Sequence, residues 1–119
     1  MGARANRRRG EIEAMLDGEL RVLCLTLASL AELETAFAVD DLAGLAGRFS
    51  SGRLKADDMI RIVGAGLRGG GNLFSDEEVG TMTAEGGLAG FARIVAELLS
   101  ATFAQGEQAE NPTQPQQAE

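Results

Sequence analysis

The chain begins with alternating apolar and polar positions, a pattern typical of strands. The alternation runs over residues 10–25, and the Asp17-Gly18 pair in its middle tolerates the positive φ angles of a two-residue turn. This segment is therefore predicted to be a β-hairpin. In its second strand Leu20, Val22 and Cys24 alternate with Glu19, Arg21 and Leu23, the pattern of a half-buried strand.

From Thr26 onward the apolar residues recur every three or four positions, which is the spacing of one helix face. The predicted helices are Thr26–Ala38, a short one from Asp40 or Asp41 through Phe49, Ala56–Leu67, a short one after Ser75, and about Leu88–Phe103. Their apolar stripes are Leu27, Leu30, Leu33 and Phe37; Leu42, Leu45 and Phe49; Met59, Ile60, Val63 and Leu67; Val79 and Met82; and Phe91, Ile94, Val95, Leu98, Leu99 and Phe103. The width of the last stripe predicts a central core helix, or one that also makes an oligomer contact. A hairpin followed by four or five short helices, without βαβ alternation, predicts an α+β domain that is mostly helical.

Acidic residues cluster where these helices start. Thr26 is a predicted N-cap, and Ser75 with Glu78 fits a capping box. The pairs Asp40-Asp41 and Asp57-Asp58 and the run Asp76-Glu77-Glu78 could in principle serve glycosidase or metal chemistry. Capping and the helix dipole explain all three, so no catalytic or metal-binding residue is predicted.

The composition excludes several classes of catalytic and metal-binding site. The chain has 119 residues, no His and one Cys, which leaves no histidine-based catalytic group and too few ligands for a zinc or iron–sulfur site. The net charge is −7 and the only aromatic residues are five Phe, both of which disfavour nucleic-acid binding. Cys24 lies between Leu23 and Leu25 and is expected to be a reduced, buried thiol.

The charge is unevenly distributed along the chain and suggests three segments. Residues 1–9 carry four arginines and are expected to form a flexible basic arm, whereas the domain 10–104 has 7 basic and 15 acidic residues. Residues 105–119 have three acidic residues and no large apolar one, so a disordered Gln/Pro-rich tail is expected there. No uninterrupted apolar run of about 18 residues is present, which argues against membrane insertion and for a cytoplasmic protein.

One glycine-rich segment imitates a cofactor motif. Residues Gly64–Gly69 match the dinucleotide fingerprint G-x-G-x-x-G. That fingerprint must open a helix within a βαβ unit, whereas here Gly69-Gly70-Gly71 is expected to end one. Gly64 and Gly66 are instead expected to allow close helix packing, and no cofactor is predicted. The segment from Arg48 to Arg53 could bind a phosphate, but a turn with solvated arginines explains it.

The order of the segments resembles the gene-transfer-agent and prophage tail protein family, which is allied to phage tail assembly chaperones. The resemblance spans roughly residues 10–104. It is carried by Gly10-Glu11, Asp17-Gly18, Leu25 to Glu34, Leu42 to Leu45, Arg48-Phe49, Gly52-Arg53-Leu54, Ala65 to Gly69, Ser75 to Val79, Gly86-Gly87 and Val95 to Leu99. Lys55 departs from the small capping residue expected before the third helix, which puts that cap in doubt.

The resemblance implies a non-enzymatic role in building the tail of a phage-like particle. Its members have been described both as assembly chaperones and as tail tube proteins. A tube subunit needs a sheet large enough to close a ring, and one hairpin falls short of that. The sequence therefore favours a chaperone that engages the tape-measure and tube proteins, with homo-oligomerisation open. The alternatives are a structural tube component and, from another class, a small nucleotide-binding domain that uses Gly64–Gly69.

Overall fold

The computed structural model describes residues 9–50 and 55–110, and the remaining residues lie outside the described part. The elements in chain order are β1 (Glu11–Leu16), β2 (Glu19–Cys24), α1 (Leu27–Phe37), α2 (Leu42–Ser50), α3 (Ala56–Gly69), α4 (Asp76–Val79) and α5 (Gly87–Glu110). An antiparallel hairpin followed by five helices confirms the predicted, mostly helical α+β fold. Ser51, Gly52 and Arg53 of the turn predicted between Arg48 and Arg53, and the basic arm through residue 8, fall outside the described residues.

The hairpin turns where the sequence predicted it. Asp17 and Gly18 have φ angles of 54° and 78°, and the register pairs Leu16 with Glu19 across the turn. Asp17 also fastens the turn to the segment before α5, because its N–H donates to the carbonyl of Thr83 at 2.9 Å and its carboxylate accepts the N–H of Thr83 at 2.9 Å.

The alternation in β2 pointed to the wrong inward face. The pattern predicted that Leu20, Val22 and Cys24 face the core. Instead Leu23, on the opposite face of the strand, is fully buried, and Leu20 is 52% exposed. The register explains the difference, since opposed residues of an antiparallel pair share a face and Leu23 is opposite the buried Ile12. Because β1 has the stronger apolar alternation, it sets which face of β2 turns to the core.

Helix α3 lies at the centre of the fold and packs against β2, α1, α4 and α5. Its residues Ile62, Val63 and Leu67 are 0% exposed, and Leu98 of α5 is equally buried. The predicted stripe was thus partly wrong, since Ile62 belongs to the core and Ile60 is only partly buried. The core also includes Ile12, Leu16, Leu23, Leu30, Leu33, Leu45, Val79 and Val95.

Helix α1 turns a slightly different face inward than predicted. Leu30, Leu33 and Phe37 are buried as expected, but Leu27 is 86% exposed. Ser29 takes the inward position, and its hydroxyl donates to the carbonyl of Ala65 in α3 at 3.1 Å. At about 100° per residue, Leu27 lies on the flank of the stripe that Ser29 and the three apolar residues form.

The predicted helix caps are present. Thr26 Oγ1 accepts the N–H of Ser29 at 3.1 Å. Ser75 and Glu78 exchange side-chain and backbone hydrogen bonds of 3.1 and 2.8 Å, which completes the capping box. Lys55 caps α3 without a side-chain acceptor, as its departure from the family pattern suggested. Its backbone N–H donates to Asp58 Oδ2 at 3.0 Å.

Helix α5 is longer than the sequence predicted. It runs from Gly87 to Glu110 and includes residues 105–110 of the predicted disordered tail, whereas residues 111–119 lie outside the described part. Among the described residues, Gly87–Ala104 is one helical stretch that is long and apolar enough to cross a membrane. The stretch contains the charged residues Arg93 and Glu97. Val95 and Leu98 within it are buried in the core, and core helices meet the same criterion.

Candidate functional site

The glycine-rich segment forms the second half of α3 and its C-terminal cap. Gly64 and Gly66 are buried inside the helix, and a β-carbon on them would lie 2.3 Å from Asp76 Oδ1 and 2.6 Å from Leu98 Cδ2. Gly70 caps the helix, and Gly71 follows with a φ of 96°. This segment therefore serves close packing and helix termination, as predicted, and it presents no helix N-terminus to a phosphate.

Arg68 joins three elements around this segment. Its Nη1 donates to the carbonyl of Phe74 at 2.8 Å and to Asp76 Oδ1 at 3.1 Å, and its Nη2 donates to Glu32 of α1. Burial by itself lowers the pKa of Arg68, but the hydrogen bonds and charges of Asp76 and Glu32 outweigh it and raise the pKa above its ordinary value. The arginine thus holds α4 against α1 and α3.

The paired carboxylates act mainly at helix starts. Asp41 Oδ1 accepts the N–H of Gly44 at 2.8 Å. Asp58 accepts the N–H of Lys55, and Glu78 accepts the N–H of Ser75. Within residues 9–50 and 55–110, no group of three or more His, Cys, Asp or Glu side chains could hold a metal ion. Capping accounts for these three carboxylates.

Cys24 is a free thiol, but it is half-exposed rather than buried as predicted. It faces outward because its register partner, Glu11, lies on the outer side of the hairpin. Its Sγ donates to the carbonyl of Arg9 at 3.6 Å. Partial burial and the charge of Glu11 raise the pKa of the thiol, against the opposing effect of Arg9, so the thiolate is disfavoured.

Arg48 is exposed, as predicted, but its guanidinium also contacts two other helices. Its guanidinium lies 5.1 Å from the ring centroid of Phe37, and its Nη2 lies 3.9 Å from Asp58 Oδ2. These contacts connect α2 with α1 and α3. The described end of the segment from Arg48 to Arg53 therefore differs from the prediction, because residues 48–50 belong to α2 and not to a turn.

An apolar groove opens between α3, α4 and the first turn of α5. Its volume is about 160 Å³. We call it the apolar groove; its lining residues are Ala56, Met59, Ile60, Val79, Gly80, Met82, Leu88 and Phe91. Leu88 at its rim is 69% exposed. Methionine side chains adapt their shape readily, which suits such a lining to contact with another protein.

A second groove adjoins the first and is acidic. We call it the acidic groove; it has a volume of about 300 Å³ and is lined by Asp57, Ile60, Arg61, Asp76, Glu77 and Gly80. Ile60 and Gly80 line both grooves, so the two are continuous. Among the described residues, Asp76 of this groove is paired with Arg68, whereas Asp57 and Glu77 are exposed.

Part of the outer face of the hairpin, towards its turn, is also apolar. Met15 and Leu20 are register partners on this face and are 43% and 52% exposed. Val22 lies on the same face and is half-buried. We call these three residues the outer hairpin face. Exposed apolar patches of this kind mark candidate protein–protein contacts.

Comparison with known protein families identifies the chain. Residues 9–105 match the family described as phage tail tube protein, GTA-gp10. The chain belongs to this family. The match spans the hairpin and all but the last residues of α5, and so covers every surface described above. No curated protein matches the chain. No solved structure matches it either.

Family membership gives these surfaces their context. The family is one of structural tail proteins related to gene transfer agents, so the protein belongs to a phage-like particle or to the cell that produces one. Such a protein works through contacts with other tail proteins or with copies of itself. This confirms the resemblance noted in the sequence and its general functional class.

The sequence did not point to the two grooves. Met59, Val79, Met82 and Phe91 were expected simply to face the core, and the acidic residues were assigned to helix starts. The available signal was Gly80, which has right-handed helical angles (φ −63°, ψ −16°) and therefore needs no glycine for its conformation. Where the backbone angles would allow any residue, a glycine often marks a place that a side chain would obstruct.

Proposed function

We propose that this family member is a tail assembly chaperone that acts in the cytoplasm of the producing bacterium. It covers apolar helices of the tape-measure protein until tube subunits replace it, and it carries out no catalysis. The observation that carries the proposal is the combination of a very small sheet with exposed apolar surfaces.

The sheet argues against ring closure by strand pairing. In the described residues it has two strands of six residues each. The outer edge of β2 is occupied, because Asn72 Nδ2 donates to the carbonyl of Val22 at 2.8 Å. The outer edge of β1 carries a bridge between Leu16 and Ala84 at its end. A tube subunit that joined its neighbours through these edges would first have to release such contacts.

The exposed apolar surfaces supply what a chaperone needs. The apolar groove and the outer hairpin face lie on different parts of the domain and offer contacts for helices of a partner. An amphipathic helix of a tape-measure protein would bury its apolar side chains there and remain soluble. A tube subunit with a larger apolar surface could then displace the chaperone.

Co-expression tests this proposal directly. The full chain and the tape-measure protein from the same tail gene cluster are produced together, and we expect co-purification and a higher soluble yield of the tape-measure protein. No co-purification together with no gain in solubility would contradict the chaperone function. The reference is the tape-measure protein expressed alone.

The alternative is a structural component of the tail tube, which the description of the family favours. Quantitative mass spectrometry and electron microscopy of purified particles separate the two. A tube subunit is present in many copies per particle, whereas an assembly chaperone is absent from the finished tail. The nucleotide-binding alternative finds no support in the packed position of Gly64–Gly69, and a thermal-shift screen with nucleotides would test it.

A further inference from the structure

The size of the apolar groove suits a single large side chain. Its volume is about 160 Å³. An apolar cavity of about 150 Å³ is large enough to bind benzene. The groove therefore has room for one Leu, Met or Phe side chain from a partner, and exposed Leu88 provides a wall that such a side chain would cover.

The neighbouring acidic groove adds a charge preference. Three carboxylates line it against one guanidinium, that of Arg61. Asp76 is engaged by Arg68, so the exposed carboxylates of Asp57 and Glu77 are the groups placed to meet a partner. A cation of the partner would be attracted here and an anion repelled.

The junction between the two grooves sets the spacing of the partner's groups. Ile60 and Gly80 form walls of both, so a side chain in one groove is adjacent to a side chain in the other. On a helix, neighbouring side chains on one face are three or four positions apart. The missing side chain of Gly80 keeps this junction open, since a β-carbon there would already lie 3.4 Å from Ile60 Cδ1.

We propose that the two grooves form one docking site for a helical segment of another tail protein that bears one large apolar side chain and, three or four positions away, a Lys or Arg. The apolar side chain fills the apolar groove, and the cation lies between Asp57 and Glu77. The inference rests on the proposed function in so far as the partner is a tail protein. It adds which surface is used and which partner segment it selects.

The test uses the full chain co-expressed with the tape-measure protein and, separately, with the tube protein of the same gene cluster. Gly80→Leu closes the junction, and its backbone angles allow any residue. The matched control is Gly47→Leu in α2, where a β-carbon meets nothing within 4 Å. We expect Gly80→Leu to weaken binding by about tenfold or more, the effect of losing a central interface contact, and Gly47→Leu to bind as the wild type does.

The charge preference has its own pair of variants. Asp57→Asn with Glu77→Gln is expected to weaken binding severalfold and to reduce its dependence on salt. Asp40→Asn with Glu97→Gln removes the same net charge from exposed positions outside the two grooves and is expected to leave binding unchanged. Thermal unfolding of every variant confirms that the fold is retained.

The outcomes separate the two proposals. A wild-type chain that binds a tail protein, together with a Gly80→Leu variant that binds it equally well, overturns the docking site and leaves the proposed function standing. Equal effects of the two charge variants overturn the preference for a basic segment. A change in the mass of the free protein on Gly80→Leu, measured by light scattering, shows that the groove holds a second copy and also overturns the inference. A wild-type chain that binds neither tail protein overturns the proposed function and the docking site together.

Discussion

A β-carbon on Gly69 would lie 1.9 Å from the carbonyl oxygen of Cys24. The end of α3 and the end of β2 therefore meet at a point where a side chain cannot fit. Gly70 repeats the relationship one residue later, with the carbonyl oxygen of Val22 at 2.0 Å. Because both obstacles are backbone atoms, a larger residue would have to push the helix away from the hairpin.

Replacement of Gly69 by Ala should destabilise the fold. We expect a loss of about 1–3 kcal/mol in the free energy of unfolding, the range typical of overpacking. Gly47→Ala is the matched control, since it lies in α2 with open space around it and should raise helix stability by up to about 1 kcal/mol. Urea denaturation of the two variants measures both effects, and equal stabilities would contradict the close approach.

The two leucines of β2 test which face of the hairpin is inward. Leu23 is 0% exposed and Leu20 is 52% exposed. Leu23→Ala should lower the free energy of unfolding by about 2–5 kcal/mol, as buried leucines do. Leu20→Ala should change it by less than about 1 kcal/mol. The reverse order would show that the register is shifted by one residue.

Loss of the Arg68 side chain should loosen α4. Arg68→Gln removes donors from the Phe74 carbonyl and from two carboxylates, and we expect a loss of about 1–2 kcal/mol. Arg93→Gln on the exposed side of α5 is the control and should stay within about 0.5 kcal/mol of the wild type. Faster amide hydrogen exchange confined to 74–80 in Arg68→Gln would locate the effect, and unchanged exchange there would contradict it.

Cys24 should react slowly with thiol reagents at neutral pH. Its pKa is raised in the folded chain by burial first and by Glu11 second, so the thiolate fraction is smaller than in the unfolded chain. Iodoacetamide should therefore modify the folded protein more slowly than the protein in urea, over the pH range where an ordinary thiol ionises. Equal rates at every pH would show that the pKa is not raised.

The same shift has a consequence for stability. The folded chain holds the thiol proton to higher pH than the unfolded chain does. The protonated thiol therefore adds to the free energy of unfolding, and this stabilisation is complete below the ordinary thiol pKa. It is lost as the pH rises from that value to the raised one. Cys24→Ser should remove this part of the alkaline decline, and denaturant titrations at several pH values would measure it.

Local chemistry made several elements predictable from the sequence. Asp17-Gly18 adopts the left-handed angles of a tight turn almost regardless of its surroundings, and the hydroxyls of Thr26 and Ser75 cap helices through hydrogen bonds to residues three positions away. The order of such short-range signals also sufficed to indicate the tail protein family. None of these features depends on contacts between distant parts of the chain.

The apolar groove and its acidic neighbour were beyond prediction from the sequence. Met59 and Phe91 are separated by 32 positions, and the groove they line exists only because α3 and α5 pack beside α4. Apolar residues at helical spacing look the same in sequence whether they fill a core or line an opening. Only the packing of helices distinguishes the two.

What the sequence by itself determined were the hairpin, the starts of the helices, the mostly helical fold and the family, since each follows from residues close together in the chain. Tertiary structure alone decided that Leu23 rather than Leu20 faces inward, that Leu27 is exposed, and that Gly69 must lack a side chain. The physical reason is that burial depends on what packs against a residue. Leu23 and Gly69 meet an element elsewhere in the fold, whereas Leu20 and Leu27 lie where the packing leaves them exposed.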